Sequence, residues 1–238
     1  GKLKLREKKP LEAEREFSAI LRKHPDHIEA WEDLITAYIM QKEYAKAAHA
    51  VARAKKLARV TPMRLLVLEG YTAFQAGDTR NAVRLLEKAL QSKRREKERW
   101  LYLQAASTLA MSYDKLGLRE KSLDMYRAIL LLDPGNALAM NNYAYLLSLQ
   151  GSDLATAKNL ALKAVDREPD NPVYLDTLGW VLFRLGEYRE ALLHLEKASS
   201  LAPDDLEIAG HLLKLYEKTG EEEKARLLRQ RMGTTGGK

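Results

Sequence analysis

The sequence predicts an all-α fold built from consecutive antiparallel helix pairs, and three observations predict it. Seven segments (EAEREFSAIL, AKAAHAVARAKKL, RNAVRLLEKAL, EKSLDMYRAIL, ATAKNLALKAV, REALLHLEKAS and EKARLLRQRM) each read as an amphipathic helix with one small residue early on the buried face. Those residues, Ala13, Ala47, Ala82, Ser122, Ala157, Ala191 and Ala225, lie 34, 35, 40, 35, 34 and 34 apart. A near-constant period of that length is the mark of a repeat array. The second observation is a glycine ladder. Gly77, Gly117, Gly151, Gly186 and Gly220 stand five or six residues before the small residue, where one helix ends in a left-handed turn that glycine adopts freely. The third is proline: Pro25, Pro134, Pro169 and Pro203 fall twelve residues after the small residue, stopping the second helix of each pair.

The period, the helix–turn–helix unit and the small-residue sites resemble the tetratricopeptide repeat family, of the bacterial multi-repeat type. The clearest copy is PVYLDTLGWVLFRLGEYREALLHLEKASSLAPDD, residues 172–205, with Leu178, Gly179, Gly186, Tyr188, Ala191, Leu195, Ala198 and Pro203 in the family's places. The resemblance covers nearly the whole chain. It implies a right-handed superhelical solenoid in which the first helices of the pairs line a concave groove.

Taken in order, residues 1–27 hold a stub and one second helix, so the chain is expected to begin inside a repeat. Full units follow at 28–61, 63–96, 103–136, 137–171 and 172–205, and the unit at 137–171 carries one extra residue in GSDLATA. A last unit, a repeat or a pair of capping helices, occupies 206–233, and 234–238 is expected to be a flexible tail. The one interval of 40 contains SKRREKERW, with six residues more than the usual spacing. Trp100, Leu103 and Ala106 run three apart into Leu109 and Tyr113, so residues 97–102 are read as a helical insertion at the front of the next unit. The cations of SKRREKERW, Lys93, Arg94, Arg95, Lys97 and Arg99, form a candidate basic docking patch. A solvated helix extension and a nucleic-acid contact are the competing readings.

Composition excludes several classes of protein. The chain has no cysteine, hence no disulfide framework, thiolate metal site or cysteine nucleophile. No apolar run approaches the ~20 residues of a membrane helix, so membrane insertion is not expected. Nothing selects a compartment; a soluble protein of the bacterial cytoplasm or periplasm fits equally. Net charge is +7 overall. Residues 1–102 carry 23 Lys+Arg against 14 Asp+Glu, and residues 103–238 carry 17 against 19. The basic N-terminal part favours an acidic partner by long-range attraction.

The chemistry expected is recognition. His24 and His27 in HPDH occupy the slots of DPGN, EPDN and APDD in sister repeats, so they read as an inter-repeat turn, and no metal or other cofactor is expected. His49 and His194 fall on second helices and read as solvated. No nucleophile elbow, zinc-protease or phosphate-loop pattern is present, and an open repeat array lacks the closed pocket an active site requires. An enzyme is not expected.

The family resemblance implies that positions 2, 5, 6, 9 and 12 of each repeat face the groove. At position 5 stand Glu32, Val67, Ser107, Asn141, Asp176 and Gly210, and at position 9 Thr36, Tyr71, Met111, Tyr145, Trp180 and Lys214. The lysine–asparagine carboxylate clamp of chaperone-binding members is absent. The coherent set is C-terminal: Asn141, Asn142 and Tyr145; Asp176, Thr177 and Trp180; His211 and Lys214. Offsets of three and four place each group on one helix face. Amides can bond a peptide backbone of any sequence, and Tyr and Trp are frequent interface anchors. The competing reading makes Asn141, Trp180 and His211 packing residues.

The function expected is therefore a scaffold that holds a protein or peptide segment in the groove. NNYAYLL and LDTLGWVLF resemble repeats of bacterial envelope and polysaccharide-export assemblies. Two alternatives remain at this stage. One is a self-assembling array that makes a homo-oligomer through its ends. The other is a nucleic-acid-binding helical repeat using the basic half, although its cations fall on second helices and turns without interleaved aromatics.

Overall fold

The computed structural model describes residues 1–57, 62–91 and 99–235. Among them every regular element is an α-helix. They are α1 (Lys2–Arg6), α2 (Pro10–Lys23), α3 (Ile28–Met40), α4 (Tyr44–Leu57), α5 (Pro62–Gln75), α6 (Thr79–Leu90) and α7 (Arg99–Lys115). The order continues through α8 (Arg119–Leu132), α9 (Ala137–Gln150), α10 (Leu154–Arg167), α11 (Pro172–Leu185), α12 (Tyr188–Leu201), α13 (Leu206–Thr219) and α14 (Glu222–Thr235). The chain forms two compact units, Gly1–Met125 and Tyr126–Lys238.

In the first unit α3 packs on α2, α4 and α5, and α5 packs on α6 and α7. In the second, α9, α11 and α13 each pack on the second helix of their own pair, and α11 touches both α9 and α13. Two- or three-residue turns join the members of each pair, which makes them antiparallel neighbours. α7 is 17 residues long and begins at Arg99, whereas its counterparts α9, α11 and α13 have 14 residues each. α14 runs to Thr235, two residues into the segment expected to be a tail.

The small-residue ladder lies at the helix–helix contacts. Ala13, Ala47, Ala82, Ser122, Ala157 and Ala191 are fully buried, and Ala225 is 1% exposed. Ser122 tolerates its place because its Oγ donates to the Ala110 carbonyl at 2.8 Å. The glycine ladder has positive φ throughout, from +70° at Gly151 to +85° at Gly77. The same turn is present where the sequence offers no glycine: Lys8 has φ 55° and Lys42 φ 60°. At Lys42 the amide bonds Ile39 O at 2.9 Å and Glu43 N bonds Tyr38 O at 2.9 Å. That is the pattern of Gly186 to Phe183 and Glu187 to Leu182. The turn is thus set by the packing of the pair, and lysine adopts it at a steric cost.

The four-residue corners act as N-caps. The last residue of HPDH, DPGN, EPDN and APDD accepts from a first-turn amide: His27 Nδ1 from Ala30, Asn136 from Ala139, Asn171 from Val173 and Tyr174, Asp205 from Glu207 and Ile208. His27 serves here as a cap. Each cap satisfies donors that the first helical turn leaves open.

Candidate functional site

The C-terminal set named from the sequence comes together on α9, α11 and α13, all in the second unit. Its centre is a buried pair: His211 Nδ1 lies 3.0 and 2.9 Å from the two carboxylate oxygens of Asp176. The His211 ring stacks on Trp180, centroids 4.3 Å apart at 20°, and Trp180 stacks on Phe183 at 5.0 Å and 18°. Tyr145 tilts toward His211 at 6.2 Å. The Lys214 ammonium lies 5.0 Å from the Trp180 ring centre, a cation–π contact on an exposed stem.

The packing is tighter than a solvent-facing groove would give. Asn141, Asp176, Thr177, Trp180 and His211 are all less than 9% exposed. Asn142 and Tyr145 are half-buried, and Lys214 is exposed. Trp180 and His211 therefore pack between first helices as well as belonging to the face. Burial pushes the Asp176 carboxyl above its ordinary value; the hydrogen bond and charge of His211 oppose that rise, and Glu207 and Asp205 add to it.

Beside this pair is a depression of about 200 Å³ lined by Asn141, Asn142, Tyr145, Val173, Asp176, Thr177, Asp205, Glu207 and Ile208. Its hydrogen bonds run in one direction. Asn142 Nδ2 donates to the Tyr126 hydroxyl oxygen at 3.1 Å, and Asn142 Oδ1 accepts from Asn141 Nδ2 at 3.3 Å. That leaves Asn141 Oδ1 buried with no partner among the described residues; Trp180 Nε1 is in the same state. The Tyr145 hydroxyl donates to Glu207 at 2.8 Å. The lining of the depression is therefore rich in acceptors: three carboxylates and the buried, unpaired amide oxygen of Asn141.

Residues that the sequence selection passed over include Val173, Phe183 and Glu207. They fall on positions 2, 12 and 2 of their repeats, which are among the positions expected to face the groove. Tyr126 is on α8, outside any first helix, and no signal in the sequence pointed to it. Of the expected basic patch, Lys93, Arg94, Arg95 and Lys97 lie outside the described residues. Arg99 opens α7 and is exposed. Next to it Trp100 is half exposed, with the Arg64 guanidinium 5.6 Å from its ring centre, and Arg64 binds Glu32 through Nε at 2.5 Å and Nη2 at 2.7 Å.

Of the remaining histidines, His49 is exposed as expected. His194, also expected to be solvated, is half-buried, and burial lowers its basicity. Among the described residues no group of three or more His, Asp or Glu is placed to hold a metal ion. No helix among them is long and apolar enough to cross a membrane.

Stacked helix pairs with buried small residues and left-handed turns define a helical repeat protein of the interaction-scaffold class. Tetratricopeptide repeat profiles match residues 4–64 and 172–205. The TPR repeat-containing protein PA4667 of Pseudomonas aeruginosa is 36% identical over 110 residues, covering 46% of this chain and 18% of that protein. The chain belongs to the tetratricopeptide repeat family. Solved structures share the fold at low identity. MamA from Desulfovibrio magneticus RS-1 has a TM-score of 0.62 at 14% identity, over 75% of this chain and 97% of that one. The APC/C hetero-tetramer Cut9-Hcn1 gives 0.81 at 14%, over 96% of this chain and 44% of that one. A tetratricopeptide repeat protein from Parabacteroides merdae gives 0.66 at 16%, over 93% and 80%.

Proposed function

We propose that the chain is a scaffold whose α9, α11 and α13 face holds an extended segment of a partner protein, in a bacterial assembly of the envelope or polysaccharide-export kind that its first helices resemble. The observation that carries the reading is Asn141 Oδ1, buried without a partner on a residue that lines an acceptor-rich depression. A buried acceptor without a donor costs about 1–3 kcal/mol. Once the Asn141 amide turns toward the depression, a backbone N–H from a bound segment satisfies it whatever the segment's sequence. The depression, about 200 Å³, is smaller than the roughly 300–1,000 Å³ of small-molecule sites, and suits a single side chain or peptide unit. Half-buried Asn142 and Tyr145 stand at its edge as the contacts a partner reaches first. The relative from Pseudomonas aeruginosa supports the bacterial setting.

The test uses peptides selected on the purified protein from a displayed random library and titrated calorimetrically. Asn142→Ala with Tyr145→Ala should weaken their binding at least about tenfold, the loss of one or two interface anchors. Unchanged affinity in the folded double variant refutes the assignment of this face.

A further inference from the structure

A second surface, in the first unit and unrelated to the α9/α11/α13 face, carries its own chemistry. A cavity of about 720 Å³ opens between α2 and α4 over α3. Its lining includes Arg22, Lys46, His49 and Arg53 and contains no carboxylate. Among the described residues neither Arg22 nor Arg53 pairs with a carboxylate, and Lys46 shares only the exposed Glu43, at 3.3 Å. Glu14, which hydrogen-bonds the lining residue Tyr38, also accepts from Gln41.

The floor is fixed. Trp31 is 3% exposed and its Nε1 donates to the Pro25 carbonyl at 2.8 Å. The Arg53 guanidinium lies 5.4 Å from the Trp31 ring centre, and the Lys46 ammonium 5.9 Å from that of Tyr38. Two of the cations are thus held in place by aromatic rings before any ligand arrives, which lowers the ordering cost of binding.

We propose that this α2–α4 cavity binds an acidic segment of a partner protein, its carboxylates received by Arg22 and Arg53. Arginine matches the carboxylate with two parallel N–H donors and is less strongly hydrated than lysine. The surplus of positive charge over residues 1–102 steers such a segment toward the unit. Nucleic acid fits less well. Single-stranded binding draws on open aromatic faces for base stacking, whereas here Trp31 is buried and cations lie over both rings.

The test is fluorescence anisotropy of the whole chain with a labelled twelve-residue polyglutamate, against polyglutamine of equal length and against poly(U), at physiological salt. Polyglutamate should bind and polyglutamine should not. Arg22→Glu with Arg53→Glu should weaken binding at least about tenfold, while the equal charge change Arg80→Glu with Lys88→Glu, outside the cavity, should leave it within about twofold. If the double variant melts lower than the wild type, Arg22→Glu alone, at an exposed position, should still weaken binding about threefold. Equal losses in both charge-reversed pairs, tighter binding of poly(U), or no polyglutamate binding overturn the proposal. Self-association of the protein through the same residues, seen by sedimentation, would place a second copy there and overturns it too.

Discussion

Gly179 stands mid-helix in α11, at a close approach to α12. A Cβ there would lie 2.6 Å from Leu195 Cγ, 3.0 Å from Leu195 Cδ2 and 3.3 Å from the Ala191 carbonyl oxygen. Leu195 and Ala191 are fully buried, and Cγ is the branch point of its side chain, so no rotation of a free end relieves the contact. Gly179→Ala therefore sets two effects against each other. Helix interiors gain about 0.5–1 kcal/mol when glycine becomes alanine. Overpacking a closed core costs about 1–3 kcal/mol. The net is a loss of about 0.5–2 kcal/mol, a fall of about 1–8 °C in melting temperature for a chain of this size. Gly210, in α13, has nothing within 4 Å of its would-be Cβ. There only the helical gain operates, and Gly210→Ala should raise the melting temperature by about 1–4 °C. The assay is circular-dichroism melting of both variants, repeated for Gly179→Ala in a Leu195→Ala background, where the loss should shrink or reverse. Equal stabilisation by the two glycine substitutions would refute the close approach of α11 and α12.

Lys42→Gly should stabilise by about 0.5–1 kcal/mol in urea titration, because it removes a left-handed lysine, less the entropy glycine adds to the unfolded chain; a drop in stability would mean that the turn differs from that at Gly186. Asn171→Ala should cost about 1 kcal/mol, since its side chain caps the amides of Val173 and Tyr174; no change in the urea midpoint contradicts the cap. Asp176 has a folded pKa raised above the unfolded 3.8 by burial, so its stabilising contribution is whole below that value and is lost as pH rises through the folded one. Asp176→Asn keeps an acceptor facing His211 and carries no charge toward Glu207 and Asp205. Its melting temperature should therefore gain on the wild type's between about pH 4 and pH 7; a constant difference across that range contradicts the raised value.

The helix pairs were legible because their signals are local. A small residue on a buried face, a glycine at a left-handed turn and a proline after a second helix each act within a few residues, and their 34-residue recurrence multiplies the signal. Where an element depended on packing, the sequence was silent. Lys8 and Lys42 adopt the glycine turn with no mark of it in their side chains. The grouping of Asn141, Asp176, Trp180 and His211 followed from helix periodicity, but their burial did not. Stacking of Trp180 on His211 depends on how α11 meets α13, a contact between residues 31 positions apart. The basic cavity was visible only as a surplus of charge over residues 1–102. Its floor needed three helices to come together, with Trp31 turned inward from α3.

The α9, α11 and α13 face is proposed to hold a partner segment. The most direct measurement is amide hydrogen exchange of the whole chain with and without a peptide selected from the displayed library. Slowed exchange should concentrate in the first turns of α9, α11 and α13 and be absent in Asn142→Ala with Tyr145→Ala. Protection confined to α2, α4 or other second helices, or spread evenly over the chain, would contradict it.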